Sequence, residues 1–253
     1  MKKIIVLVMM LLLCSCQTVE IEEKKNQISK ETVHHYKLVE INNEIVADEI
    51  TYSECREYKN GLVVEDYTIS PIGEKHNVGI YEYDDQLIKS IVRHDGILKY
   101  ETRYSYKGDM KTSISNYFND ELKRKTIYVY DGNDTVIKEY DGENELISES
   151  KTTVNGSNKY VEYTQYLEGV TATMEIELDE NDNPIKSKFT QGDIVSVSET
   201  TYDEYGNEIH ISNPEIEVRK EYIYDEKGEY IEMKTYLNDV LTSYQTREIE
   251  YEK

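Results

Sequence analysis

A turn recurs along this chain about every 24 residues, and that period limits the fold more than any other feature. The residues just before it are Tyr83, Tyr106, Tyr130, Val154, Leu178, Tyr202 and Tyr224, separated by 23, 24, 24, 24, 24 and 22 positions. Tyr58-Lys59-Asn60-Gly61 reads as an earlier member, 25 residues before Tyr83. A fixed spacing of this size is the mark of a repeat architecture. A second turn sits near the middle of each unit, as at His94-Asp95-Gly96, Phe118-Asn119-Asp120, Tyr140-Asp141-Gly142, Gln191-Gly192-Asp193 and Leu237-Asn238-Asp239. Gly, and less readily Asn or Asp, tolerates the positive φ that tight hairpin turns require. Each unit is therefore two strands and two turns.

The intervening segments alternate with period two. In Tyr100-Glu101-Thr102-Arg103-Tyr104-Ser105-Tyr106 the tyrosines share a face, and in Met174-Glu175-Ile176-Glu177-Leu178 both glutamates oppose the apolar residues. One covered face and one wet face predicts an antiparallel sheet. With 24 Tyr, 2 Phe and no Trp, the expected core is thin and tyrosine-rich. The expected fold is all-β, an antiparallel meander of two-stranded hairpin repeats forming a curved or coiled single sheet. Residues 32–253 form one such domain, and its first segments, Thr32 to Ile41 and Glu44 to Cys55, are strands joined at Asn42-Asn43.

The pattern Tyr-Asp-x-x-Gly is complete at Tyr202, Asp203 and Gly206 and at Tyr224, Asp225 and Gly228; Tyr130, Asp131 and Gly132 are a shortened copy. It resembles the YD repeat of the RHS family, with degenerate copies over roughly residues 52–253. The Tyr-x-Asn-Gly form at Tyr58 to Gly61 also resembles bacterial MORN-type repeats. The RHS resemblance implies a coiled β-sheet shell, which in that family often encloses a C-terminal toxin domain. The chain here ends within the repeat, at Glu250-Tyr251-Glu252-Lys253, so a toxin role is not expected.

Residues 1–15 read as a signal peptide, with Lys2 and Lys3 ahead of the apolar run Ile4 to Leu13. Ten residues are too few to span a bilayer, which takes about 20. The end of this segment, Leu13-Cys14-Ser15-Cys16, resembles the bacterial lipobox. The resemblance implies cleavage before Cys16, a diacylglycerol on its sulfur, and often an N-acyl chain such as palmitate; several acyl chains together anchor stably. Residues 16–31 then form the lipidated cysteine and a polar tether. Gln17 follows Cys16 in place of the aspartate that resembles an inner-membrane retention signal, which favours the outer membrane or cell surface.

Removing Lys2 and Lys3 takes the formal charge from −22 to −24. So acidic a body is unsuited to nucleic acid and to lying flat on anionic lipid. The expected partners are a membrane, reached through the lipid anchor, and an unknown protein or glycan ligand.

Catalytic patterns are missing. No serine stands in a Gly-x-Ser-x-Gly elbow and no glycine-rich phosphate loop opens a helix. His34, His35, His76, His94 and His210 lack metal-ligand spacing, and His34 and His35, adjacent on a strand, point to opposite faces. Asp179-Glu180-Asn181-Asp182-Asn183 begins like a calcium loop, but Pro184 and Thr190 replace the Gly and Glu such a loop needs, so turn preference explains it better. Cys55, without a partner once Cys16 is lipidated, reads as a buried small residue. No cofactor or metal is expected apart from the covalent lipid on Cys16. The expected function is that of a non-enzymatic envelope lipoprotein for binding, adhesion or scaffolding. The alternatives are a periplasmic carrier or assembly factor holding an apolar client, and an RHS-associated accessory or immunity protein.

Overall fold

The computed structural model describes residues 28–42, 44–166 and 169–251. Cys16, the signal segment and most of the tether lie outside the described residues. Among the described residues eighteen strands follow one another. They are β1 (Ile28–Ile41), β2 (Glu44–Lys59), β3 (Leu62–Ile69), β4 (Lys75–Asp84), β5 (Leu87–Asp95), β6 (Leu98–Lys107), β7 (Met110–Phe118), β8 (Glu121–Asp131) and β9 (Asp134–Asp141). The second half comprises β10 (Leu146–Asn155), β11 (Asn158–Gln165), β12 (Val170–Leu178), β13 (Pro184–Gln191), β14 (Ile194–Tyr202), β15 (Glu208–Ser212), β16 (Glu217–Tyr224), β17 (Tyr230–Leu237) and β18 (Val240–Tyr251). Because β1 begins at Ile28, the last four residues expected in the tether belong to the wall.

Each strand pairs antiparallel with its neighbour in sequence, as the hairpin repeat requires. The expected curved or coiled sheet is corrected in one respect: β1 also pairs with β18, from Ile28↔Tyr251 to His35↔Gln245, and closes the sheet into a barrel. The physical reason is the edge. An open sheet leaves two rows of unpaired N–H and C=O groups and an uncovered apolar face, and closure removes both. Bulges add to the curvature, and six of them fall at repeat positions. The register shifts at Glu57/Tyr58, Glu82/Tyr83, Ser105/Tyr106, Glu177/Leu178, Thr201/Tyr202 and Ile223/Tyr224. Each bulge adds local twist. At strand spacings near 4.8 Å and a tilt of about 40°, eighteen strands enclose a ring roughly 35 Å across, wide enough for a lumen.

Registers carried around the ring sort the side chains into two faces. One face holds Glu31, Arg247, Asp66, Arg93, Tyr81, Tyr104, Met174, Phe189 and Tyr222. The other holds ion pairs between neighbouring strands: Lys138–Glu149, Lys151–Asp134, Lys188–Glu175 and Lys186–Glu199, at 2.7 to 3.1 Å. The first face is the inside. It holds the apolar cluster around Met174 and Phe189 and the cavity beside Glu31, as a concave surface does. Burial is also the leading cause that pushes the Tyr81 and Tyr222 hydroxyls up to about 12, followed by Asp66 and Glu208 respectively.

The tightest packing departs from the tyrosine-rich expectation. Ala172, Met174, Ile176 and Leu178 of β12 close against Phe189 of β13, with Val161 of β11 beside them. Most tyrosines on the inner face are only half-buried. Their rings cover the wall while their hydroxyls reach polar groups near the rims.

Candidate functional site

The meander places all even-to-odd turns on one rim, together with residues 28 and 251, and all odd-to-even turns on the other. The 24-residue repeat therefore marks a single rim, the one at which β1 begins at Ile28 after the expected tether.

At this rim the Tyr-Asp-x-x-Gly motif has a specific geometry. Asp203 Oδ1 accepts the backbone N–H groups of Tyr205 and Asn207, the Asn207 carbonyl accepts from Asp203 N, and Gly206 takes φ +81°. Asp225 does the same with Lys227 and Glu229, and Gly228 takes φ +78°. The tyrosine of one unit then binds the aspartate of the unit before it. Tyr224 Oη donates to Asp203 Oδ2, and Tyr251 Oη donates to Asp225 Oδ2 at 3.2 Å. Tyr202 Oη reaches the Pro184 carbonyl at 3.1 Å. These are stitches between repeats. Tyr130, Asp131 and Gly132 build a different turn, a two-residue hairpin closed by Asp131↔Asp134, with Gly132 at φ +60° and Tyr130 Oη on the Lys111 carbonyl at 2.9 Å.

The calcium-like stretch is a third copy of the capped turn. Asp179 Oδ1 accepts Asn181 N and Asn183 N, and Oδ2 accepts the Asn183 side chain. Burial works to raise the Asp179 carboxyl, but the bonds from Asn183 and Asn181 hold it below its usual value. A fourth copy was hidden in Tyr140-Asp141-Gly142. There the left-handed residue is Asn144 (φ +69°), and Gly142 instead lets the chain pass the Leu122 carbonyl, which a Cβ would strike.

His34 and His35 do face opposite ways. His34 bonds Ser53 and lies near Glu248 on the outer face; His35 stacks on Tyr52 and meets Gln245 inside. Among the described residues no group of three His, Cys, Asp or Glu side chains is placed to hold a metal. Cys55 is buried, its thiol 3.6 Å from Thr32 Oγ1.

The candidate site lies on the inner face at the seam, where the two ends of the chain meet. Glu31 of β1 takes Arg247 Nε of β18 at 2.9 Å and the Tyr58 hydroxyl of β2 at 2.9 Å. Arg247 also reaches Glu229 at 3.0 Å and stacks over the Tyr230 ring. Beside this network is a cavity of about 320 Å³ lined by Glu31, Val33, His35, Glu54, Arg56, Tyr230 and Gln245. Burial pushes Tyr58 up to about 12, with Glu31 adding to it; burial lowers His35, opposed by Glu54. The lining offers a guanidinium, two carboxylates, an imidazole and an amide. The Tyr230 phenol adds a hydroxyl, which burial, its leading influence, pushes above its usual range. What it can do is hold a small polar molecule carrying both charges. Sequence reasoning missed the site because Glu31 and Arg247 lie 216 positions apart, and Glu31 read as tether.

No protein-family model and no curated protein matches this chain. Among solved structures it is similar to a porin-like protein from Bacteroides uniformis, with a TM-score of 0.45 and 11% identity over 89% of this chain and 96% of that chain. So distant a likeness carries neither fold nor function across; the barrel rests on its own strand pairing.

Proposed function

We propose that this protein is a lipid-anchored, non-catalytic binding barrel of the bacterial envelope that stands in water beside its membrane. The observation that carries this reading is the outer wall. Lys138–Glu149, Lys151–Asp134 and Lys188–Glu175 lie along the strands where a membrane-embedded barrel presents its apolar band. A lysine or arginine on the lipid face of such a barrel costs about 2–4 kcal/mol at the bilayer midplane. The attachment then falls to the Cys16 lipid, followed by eleven residues before β1 begins at Ile28. Eleven residues span at most about 40 Å even fully extended, which keeps the Tyr-Asp rim near the membrane. The seam cavity supports a polar ligand rather than an apolar client, because polar and charged side chains supply all of its lining but Val33 and the Tyr230 ring.

Membrane fractionation of wild type and Cys16→Ala tests the reading. The wild type is expected to sediment with membranes and to incorporate labelled palmitate, and the variant to be soluble with an unchanged β-sheet spectrum. A variant that stays in the membrane through alkaline carbonate washing, and leaves only with detergent, would show an embedded barrel instead.

A further inference from the structure

The two rims differ in chemistry. The tether rim carries the repeat tyrosines and three of the four capped aspartates, the fourth, Asp141, lying on the opposite rim. The opposite rim carries large aliphatic side chains at its turns, where polar residues are usual. Ile72 is 80% exposed and Ile97 is 97% exposed, and Ile41, Val195, Ile216 and Val240 stand out from other turns of the same rim. The β1–β2 hairpin also projects there, since β1 leaves β18 after His35 and β2 leaves β3 beyond Ser53. Exposed apolar groups gathered at one end of a protein mark an interaction surface.

Charge decides the occupant. Glu44, Asp95, Asp193, Glu215 and Asp239 stand in or beside these same turns, and none is ion-paired with a base among the described residues. An anionic membrane or a second copy of this acidic chain would be repelled. The chain preceding residue 28 leaves from the other rim, so under the anchoring proposed above this rim points away from the protein's own membrane. We propose that the rim docks a basic, apolar segment of a partner protein, in the manner of a cationic amphipathic helix. The orientation rests on the lipid-anchor reading; the docking chemistry does not.

The full chain, immobilised through a C-terminal tag at the tether rim, leaves the docking rim free whether or not Cys16 is lipidated. A synthetic amphipathic Leu/Lys peptide and its Leu/Glu counterpart are then passed over it at near-physiological salt. Saturable binding of the Leu/Lys peptide alone is expected. It should weaken at least tenfold in the combined variant Ile72→Ser, Ile97→Ser and Ile216→Ser, and stay unchanged in Met110→Ser with Tyr205→Ser at the tether rim. All five side chains are exposed, and an unchanged far-ultraviolet spectrum checks the fold. Equal binding to the isoleucine variant, equal binding of both peptides, or no binding would overturn the proposal. So would binding of phosphatidylcholine–phosphatidylglycerol vesicles that depends on the same isoleucines, which would assign the rim to lipid.

Discussion

Single residues show where close approach decides identity. Gly79 of β4 stands between Asp66 of β3 and Arg93 of β5 in one row across the inner face. Its missing side chain lets Arg93 Nη2 cross the strand to Asp66 Oδ2 at 2.7 Å, with the Tyr81 hydroxyl on the same oxygen at 3.0 Å. A Cβ at this position would collide with Asp66 Oδ1. Glycine inside a strand commonly marks such an approach. Gly79→Ala is expected to destabilise the barrel by about 1–3 kcal/mol, since it displaces a half-buried ion pair. Urea unfolding measures it, and an unchanged midpoint would show that the pair moves aside freely.

Among the elements, the capped turn is the recurring unit. Its aspartate binds two backbone N–H groups that face no strand, as an N-cap residue does for a helix. Asp225→Ala is expected to cost about 1 kcal/mol, the worth of lost hydrogen bonds on an exposed turn. Asp225→Asn should keep most of this, because the amide oxygen still accepts. The two differ from wild type in acid. Burial works to raise the Asp225 carboxyl, but the Glu229 and Lys227 amides hold it below its usual value. A depressed carboxyl stabilises the fold above its unfolded pKa and loses that contribution as the pH falls through its folded value. Wild type should therefore lose more stability than Asp225→Asn between about pH 4 and pH 2. Parallel curves for the two proteins in thermal melts would place the effect elsewhere.

On the scale of the whole molecule, stability depends on closing the ring between strands at opposite ends of the chain. Such long-range pairing is slow to form because loop closure precedes the contacts that reward it. The seam is held by the β1–β18 ladder and by Arg247, which lies between Glu31 and Glu229. Removing Arg247 leaves Glu31 buried with its hydrogen-bonded counter-charge gone and only Arg56, opposite on β2, to balance it, so Arg247→Ala is expected to cost about 2–3 kcal/mol. Glu31→Gln combined with Arg247→Met, which removes both charges, should recover much of that loss. Hydrogen exchange should locate the weakening in β1, β2 and β18, and uniform loss of protection around the ring would show that the seam is no weaker than the rest.

Local structure was legible because it is written in short-range chemistry. The 24-residue period located the turns of the tether rim, and the alternation in Met174 to Leu178 identified which residues face inward. Tyr-Asp-x-x-Gly named the residues of the capped turn, although the bond from each tyrosine to the previous repeat was not visible in it. The pairing of β1 with β18 left no mark in the sequence, because a strand that closes a barrel and one that borders an open sheet can alternate identically. Closure follows from the twist summed over eighteen strands and bulges. The seam cavity depends on that closure. Glu31, Arg56, Tyr230 and Arg247 are ordinary strand residues until the two ends of the chain meet on a concave face, where water is displaced and their charges must satisfy one another. The sequence by itself determined the repeat, the strands and the turn chemistry, which are local. Tertiary structure alone decided the ring, the inside and the two unlike rims, since each depends on contacts between residues far apart in the chain.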